Sequence, residues 1–411
     1  MFSFNEVNYY EHELDLKQVV LLGNLKTLEE AFYICDLSTV ARKLQLWKEL
    51  LPRIQPYYAV KCNNDPLVVE TLANLGTGFD CASKREIEMV MKAGATPERI
   101  IFAHPCKPLP DLKYAQEHNV LRTTADNEFE IIKLSKHSPK TRVIVRFRSE
   151  AKDAVWPLGR KFGCDPKSDA TALLLLSRSL NLEVDGSSFH VGCECKEPEA
   201  YDRAILKARS IYDFGKLLGY DMSLLDIGGG YPGSNDVQFK EIANVINNAI
   251  DEYFMDDPVE IIAEPGRYLV EQAFTLVCKI QAKREVRDAA GKLDTIMYYI
   301  NDGVYGSFIY VLMEHDPIKV VHFLDNDSDL PKFKSTIWGP TCDSLDKISD
   351  NLYLPHLNPG DLIAFPNMGA YTLPLASEFN GIPLPKTLYF QRKSEAIPLH
   401  LNHGHKIQHL N

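Results

Sequence analysis

Between residues 55 and 264 the chain repeats one beat: a short apolar strand, a polar or Gly/Pro stop, then an amphipathic helix. Strand character falls at 55–61, 77–81, 99–104, 121–124, 142–148, 183–191, 223–227 and 259–264, with helical spacing between them, clearest at 83–93 and 240–254. Few folds accept such a pattern. Eight strands alternating with helices over about 200 residues match the size of a (β/α)8, TIM-like barrel, which assigns the barrel to 38–273.

From 274 to 411 the pattern changes. Segments 274–282, 295–300 and 362–365 show partial period-two alternation, and their connections are rich in Gly, Pro and Asp. This predicts a second, mainly β domain, sandwich- or barrel-like, which the N-terminal segment 1–37 joins through its strand-like run 31–35.

With 411 residues, 45% of them hydrophobic, the chain can bury a large core, and two domains are expected. The net charge of -11 argues against nonspecific binding to nucleic acid or an anionic membrane and favours cationic ligands. The N-terminus lacks a basic region followed by an apolar core, and no apolar run reaches bilayer length, so a cytoplasmic protein is expected. Nine scattered cysteines without a CxxC pair suit neither a disulfide framework nor a zinc site. The tail with His400, His403, His405 and His409 reads as a polar tail, and no metal is expected.

Barrels of this kind carry their chemistry at the C-terminal ends of their strands. The residues there are Lys61, Asp80, His104, Asp126, Arg146, His190, the loop Gly228-Gly229-Gly230, and Glu264 with Arg267. A lysine at a buried strand end suggests an amine used as a nucleophile toward aldehydes; a solvated strand terminus is the plainer alternative. The run Gly228 to Gly233 follows the seventh strand and precedes a helix, so its N–H groups could cradle a phosphate. It also fits GxGxxG spacing, but a dinucleotide site belongs to the opening of a βαβ unit rather than to a seventh strand. Glu264 could hold a pyridinium nitrogen protonated while Arg267 pairs with phosphate, or the two could form a structural salt bridge. His190 could stack on a flat cofactor or be a satisfied core histidine. Cys342 beside Asp343, after a Gly-Pro turn, is a candidate acid or nucleophile, a buried structural cysteine being the alternative. As a set these residues suggest an aldehyde cofactor bearing a phosphate.

The blocks Tyr58-Ala-Val-Lys-Cys-Asn63, Leu75-Gly-Thr-Gly-Phe-Asp-Cys-Ala-Ser-Lys84, Phe189-His-Val-Gly192, Leu225-Asp-Ile-Gly-Gly-Gly-Tyr-Pro-Gly233, Ala263-Glu-Pro-Gly-Arg267, Asn301-Asp-Gly-Val-Tyr-Gly-Ser-Phe308, Trp338-Gly-Pro-Thr-Cys-Asp343 and Asn367-Met-Gly-Ala-Tyr371 together resemble the eukaryotic ornithine decarboxylase family. Its members are barrel-type, fold type III decarboxylases of basic amino acids that use pyridoxal 5'-phosphate. The likeness spans nearly the whole chain. It implies a head-to-tail homodimer with two shared active sites that converts L-ornithine to putrescine. Lys61 would form the Schiff base with the cofactor, beside Asp80 and Arg146; His190 would stack on the ring and Glu264 would hold its nitrogen protonated. The phosphate region would comprise Gly228, Gly229, Gly230, Gly266, Arg267, Tyr371 and position 193. Cys342 of the second copy would protonate the substrate carbon, with Asp343, Glu314 and Tyr305 as substrate contacts. Lys161 and Asp346 match the pair that ties the subunits together.

Three places depart from the family. Cys193 stands where a serine is usual, which implies weaker phosphate binding. Met313-Glu314-His315 replaces Tyr-Asp-His, so one distal carboxylate is a methylene longer. The 108–131 region, where animal members bind antizyme, is not basic, and the chain ends soon after the β domain, so antizyme control is not expected. The alternatives are a lysine or arginine decarboxylase, raised by Glu314, and a catalytically inactive regulator like the antizyme inhibitors, opposed by the intact Lys61, Glu264, Arg267, Cys342 and Asp343. An alanine racemase on the same barrel would have no use for Cys342 and the distal acids.

Overall fold

Eight parallel strands close into a ring: β1 (Ile54–Ala59), β2 (Gly78–Cys81), β3 (Ile100–Phe102), β4 (Arg122–Ala125), β5 (Arg142–Arg146), β6 (Glu183–Ser188), β7 (Leu224–Asp226) and β8 (Glu260–Ala263). The ring closes between β8 and β1, where Ile261 stands opposite Ile54. The structure, a computed structural model, describes residues 4, 6–22, 25–149, 154–156, 159, 161–312, 318–324 and 330–399. The chain divides into two units, Val40–Leu269, which holds the barrel, and Met1–Thr39 with Val270–Asn411. The expected barrel and the expected second, mainly β domain are both present.

Each of the eight strands read between 55 and 264 lies in the ring, but most end earlier than their apolar runs. The run 183–191 pairs only as far as Ser188, and 55–61 only as far as Ala59. The residues beyond leave the ladder to form the mouth of the barrel, where functional side chains need loop geometry. Helices follow the strands because the stops are good caps. Asp65 accepts from the N–H groups of Leu67 and Val68 ahead of helix Pro66–Asn74, and Ser83 accepts from Glu86 ahead of helix Lys84–Lys92. Asn235 caps Asp236–Phe254, which begins one turn before the expected 240.

The barrel interior is filled by Tyr57, Ile101, Ile144, Leu224 and Ile262. Beside it, β6 and β7 come so close at Gly186 that a Cβ there would sit 1.7 Å from the Leu224 carbonyl oxygen, so only glycine fits. At the N-terminal ends of the strands Arg122 and Arg142 share Asp185 at 3.2 and 2.7 Å, and Arg122 also reaches Glu260 at 2.6 Å, joining β4, β5, β6 and β8 by charge.

The second unit is a nine-stranded mixed sheet. Its main path runs Val7–Tyr10, Lys386–Arg392, Phe32–Asp36, Phe274–Arg287, Leu293–Ile300, Lys332–Trp338, Lys347–Pro355, with Val321–His322 and Leu362–Phe365 pairing to the side. Phe32, Ile34, Val277, Ala364, Leu388 and Phe390 form its core. Phe274–Arg287 is longer than expected: its second half carries exposed side chains such as Gln281, Arg284 and Glu285, where no apolar signal is required. Among the described residues no helix is long and apolar enough to cross a membrane, no group of metal-ligating side chains assembles, and all nine cysteines are free. The histidine tail lies outside the described residues.

Candidate active site

At the end of β1 the chain tightens into a 3-10 turn, Val60–Cys62, so Lys61 stands just past its strand rather than on it. The Tyr58 hydroxyl holds this turn by donating to the Asn63 carbonyl at 2.7 Å. The Lys61 amine pairs with Asp80 from the end of β2; the lysine side chain is 44% accessible and the aspartate 1%. The second Asp80 oxygen, Oδ1, is buried without a hydrogen-bond partner. A buried carboxylate thus aims an accessible amine out of the barrel, which is how a nucleophilic lysine is positioned.

Glu264, just past β8, is buried and faces Asp226 at the end of β7. Desolvation first, then mutual repulsion, pushes the Glu264 carboxyl well above its ordinary range, with Asp80 adding to the repulsion and Lys61 opposing it. Asp226 is raised for the same leading reason, against the Gly228 N–H that it accepts at 2.9 Å. Asp226 Oδ2 is buried without a hydrogen-bond partner, and two desolvated carboxyls that repel each other both favour the protonated form. Asp226 was not among the site residues expected from sequence, although it lies inside the Leu225 to Gly233 block; a carboxylate ending a buried barrel strand was the available signal.

His190, past β6, has an imidazole kept neutral: burial drives its pKa well below the usual value, and the charges of Arg146 and Lys61 push the same way. Its Nδ1 accepts from the Gly192 N–H at 3.0 Å, which leaves the proton on Nε2. Beside it runs the glycine loop. All three of its carbonyls are turned into protein: Gly228 O accepts from Glu264 N at 2.7 Å, Gly229 O from the Tyr201 hydroxyl at 3.1 Å, and Gly230 O from Cys195 N at 3.2 Å. This leaves the amide groups of Gly229 and Gly230 for an anion. A Cβ at Gly228 (φ +64°) would lie 2.1 Å from the Phe189 carbonyl oxygen, and one at Gly229 2.9 Å from His190 Nε2. Trp47, Tyr231, Phe239 and Tyr268 pack ring against ring behind the loop, Trp47 stacked on Phe239 and edge-on to Tyr231, and the buried Lys43 amine ties the Gly233 carbonyl at 2.8 Å to Asp236 at 2.6 Å. Tyr231 lies inside the Leu225 to Gly233 block, but Lys43, Trp47, Phe239 and Tyr268 carried no signal in the sequence.

The other expected barrel residues fall around this mouth. Gly266 packs where a Cβ would meet Cys62 at 2.9 Å, and Arg267 opens the short helix Arg267–Val270. Cys193 begins a short strand, Cys193–Cys195, that pairs antiparallel with Ala154–Trp156. Asp126 accepts from Gly163 N at 2.8 Å, and the Lys161 amine lies 5.0 Å from the Phe162 ring centre. His104 rests edge-on to Phe162, and its carbonyl accepts from the buried Lys107.

The β-rich unit carries the remaining set. Cys342 is exposed, its N–H donating to Asn380 Oδ1 at 3.2 Å. Asp343 accepts from Leu345 N at 3.0 Å and from the Tyr305 hydroxyl at 2.5 Å, and these bonds hold its carboxyl below the ordinary range. Asp346 is buried close by. Tyr371 takes a left-handed backbone conformation (φ 56°). Glu314 lies outside the described residues.

An aimed amine, a proton-holding carboxyl pair, a neutral imidazole and a glycine anion cradle at one barrel mouth define a site into which a phosphorylated pyridine aldehyde fits. The donor set matches each part of such a group: amine for aldehyde, acid for ring nitrogen, amide N–H groups for phosphate. Residues 37–271 match the family model described as pyridoxal-dependent decarboxylase, pyridoxal binding domain. Ornithine decarboxylase 2 of Drosophila melanogaster is 55% identical over 387 residues, covering 94% of this chain and 98% of that one. Antizyme inhibitor 2 of Xenopus laevis is 45% identical, covering 86% and 79%. Among solved structures, the arginine decarboxylase of Paramecium bursaria Chlorella virus superposes with a TM-score of 0.85 at 35% identity, covering 92% of this chain and 99% of that one. The lysine/ornithine decarboxylase of Vibrio vulnificus, solved with putrescine, gives 0.82 at 28%, covering 93% and 100%. The chain belongs to the pyridoxal-dependent decarboxylase family, fold type III, and is closely related to the eukaryotic ornithine decarboxylases. Its cofactor is pyridoxal phosphate and its activity the cofactor-dependent decarboxylation typical of that family.

Proposed function

We propose that this chain decarboxylates L-ornithine to putrescine and carbon dioxide, the entry step of polyamine biosynthesis, as a cytoplasmic homodimer whose sites each draw on both copies. The enzyme reading is carried by the Lys61–Asp80 pair beside the Glu264–Asp226 pair at one barrel mouth, and ornithine as substrate by the near full-length likeness to the Drosophila ornithine decarboxylase.

When bound, the cofactor supplies an electron sink for the carbanion that loss of carbon dioxide leaves. Lys61 Nζ would bind the aldehyde. Glu264, whose burial favours its protonated form, would keep the ring nitrogen protonated. The neutral His190 imidazole would adjoin the cofactor without adding charge, and the Gly229 and Gly230 amides with Arg267 would hold the phosphate. Tyr371, Gly266 and Cys193 would complete that phosphate region. The Cys342 thiol of a second copy returns a proton to the substrate carbon, and Asp343, with Glu314, holds the distal ammonium. Lys161 would reach across to the second copy. The acidic character of the chain agrees with a dicationic product.

Two other readings have an observation behind them. The likeness to the viral arginine decarboxylase and the lysine/ornithine enzyme, with the longer Glu314 side chain, favours another basic amino acid. The likeness to antizyme inhibitor 2 favours a regulator. Release of carbon dioxide from carboxyl-labelled ornithine, lysine and arginine, with added pyridoxal phosphate, separates them. Strong preference for ornithine is expected; preference for another substrate replaces the specificity, and no release from any, with no visible absorbance lost in Lys61→Ala, overturns the enzyme.

A further inference from the structure

We propose that Asp346 is a positioning residue that builds, inside one chain, the loop presenting Cys342 and Asp343; this rests on the site reading above. Asp346 is 1% exposed, and its carboxylate accepts three hydrogen bonds. Oδ1 accepts from Val304 N at 2.7 Å, while Oδ2 accepts from Thr341 N at 2.9 Å and from the Thr341 hydroxyl at 2.7 Å. Its backbone closes the same turn: Asp346 N donates to Asp343 O at 3.1 Å, and Gly339 N donates to Asp346 O at 2.8 Å.

Two glycines exist around this carboxylate. A Cβ at Gly303 or at Gly339 would each lie 2.2 Å from Oδ1, so two separate turns are wrapped onto one buried anion. A neighbouring carboxylate repeats the device. Asp302 accepts from Gly303 N at 2.7 Å, Ser307 N at 3.1 Å and the Ser307 hydroxyl at 2.5 Å, and a Cβ at Gly306 would lie 2.0 Å from it.

The turns so fixed carry the chemistry. Val304 precedes Tyr305, whose hydroxyl reaches Asp343, and Thr341 precedes Cys342. Asp346 therefore sets the distance between the thiol, the distal carboxylate and the tyrosine that orients it. Three donors occupy most of a carboxylate's acceptor sites, so the loop role stands without a cation from a second copy. The resemblance to the family implied instead a pairing of Asp346 with Lys161 across subunits.

The two roles separate experimentally in the holoenzyme. Asp346→Asn, Thr341→Val, Lys161→Ala and wild type would be compared for visible cofactor absorbance, mass by sedimentation, kcat and KM for ornithine, and the rate at which iodoacetamide labels Cys342, located by peptide mapping. Asp346→Asn is expected to keep the absorbance and the mass of wild type, to lower kcat by roughly 100-fold through a misplaced thiol, and to change the labelling rate. Thr341→Val, which removes one of the three bonds, should move both in the same direction by less, and Lys161→Ala should label like wild type. Wild-type kcat and labelling in Asp346→Asn, or effects reproduced by Lys161→Ala together with dissociation, would overturn the proposal. A wild-type protein that released no carbon dioxide would instead sink the proposed function, while the labelling comparison would still decide the role of Asp346.

Discussion

One methyl group probes the anion cradle. At Gly228 a Cβ would meet the Phe189 carbonyl oxygen at 2.1 Å with φ at +64°, whereas Gly76 has φ at +86° but nothing within 4 Å of its Cβ. Gly76→Ala should therefore lose only about 1 kcal/mol from its left-handed backbone. Gly228→Ala adds a collision with backbone and must shift the loop, so pyridoxal phosphate affinity, read by titrating the visible absorbance, should fall more than about tenfold; equal affinity in both variants would show that the loop does not hold the phosphate. The acid pair gives a second test at this scale. Asp226 and Glu264 hold protons in the folded chain to higher pH than in the unfolded one. Above the ordinary carboxylate range, about pH 4, the native state binds more protons than the unfolded, so stability of the cofactor-free protein falls as pH rises through that window. Asp226→Asn removes one acid and offers Glu264 an amide donor. Its urea midpoint should change less than that of wild type between about pH 5 and pH 8; an identical slope would mean that the pair is not the source.

At the scale of elements, the buried Lys107 shows how the barrel mouth is braced. Its side chain is fully inaccessible, with Nζ bonded to Glu130 at 2.9 Å, the His104 carbonyl at 3.0 Å and the Thr124 carbonyl at 2.8 Å. It thereby joins the loop after β3, the end of β4 and helix Glu128–His137. Burial depresses its pKa to about 8. Lys107→Met would leave two carbonyls without their donor and Glu130 paired only with Lys133, a loss of about 3 kcal/mol or more, measurable as a lowered urea midpoint without change in slope. Nothing in the sequence separates this lysine from an exposed one such as Lys113, because its partners come from strands far along the chain. The strands were legible for the opposite reason: buried parallel strands read as apolar runs whichever neighbours they have, and all eight were found. Lys332–Trp338 and Lys347–Pro355 were not, since they pair antiparallel and expose Lys332, Lys334, Lys347, Asp350 and Tyr353. The site follows the same division. Lys61, Asp80, His190, the glycine loop and Glu264 stand at strand ends, where the barrel rule finds them, whereas Lys43, Tyr201 and the buried carboxylate contacts of Asp302 and Asp346 act through hydrogen bonds that only the folded chain reveals.

At the scale of the whole molecule, the residues proposed for the chemistry divide between two units: Lys61, Asp80, His190, Asp226 and Glu264 in the barrel, Cys342, Asp343 and Tyr305 in the β-rich unit. If a complete site takes the second set from another copy, two damaged chains can repair one another. Lys61→Ala removes the nucleophile and Cys342→Ala the acid, so each variant alone should be nearly inactive toward ornithine. In a mixed dimer one site receives both defects and the other receives none. Random exchange of equal amounts makes half of the dimers mixed, each with one intact site of two, so activity should recover to about a quarter of wild type. The recovery must also depend on concentration, because exchange requires dissociation, and it should disappear when either variant is covalently cross-linked to its own kind beforehand. If the second set instead came from the same chain, mixing would restore nothing at any ratio or incubation time, and the shared-site dimer would be rejected while the barrel's cofactor chemistry stood.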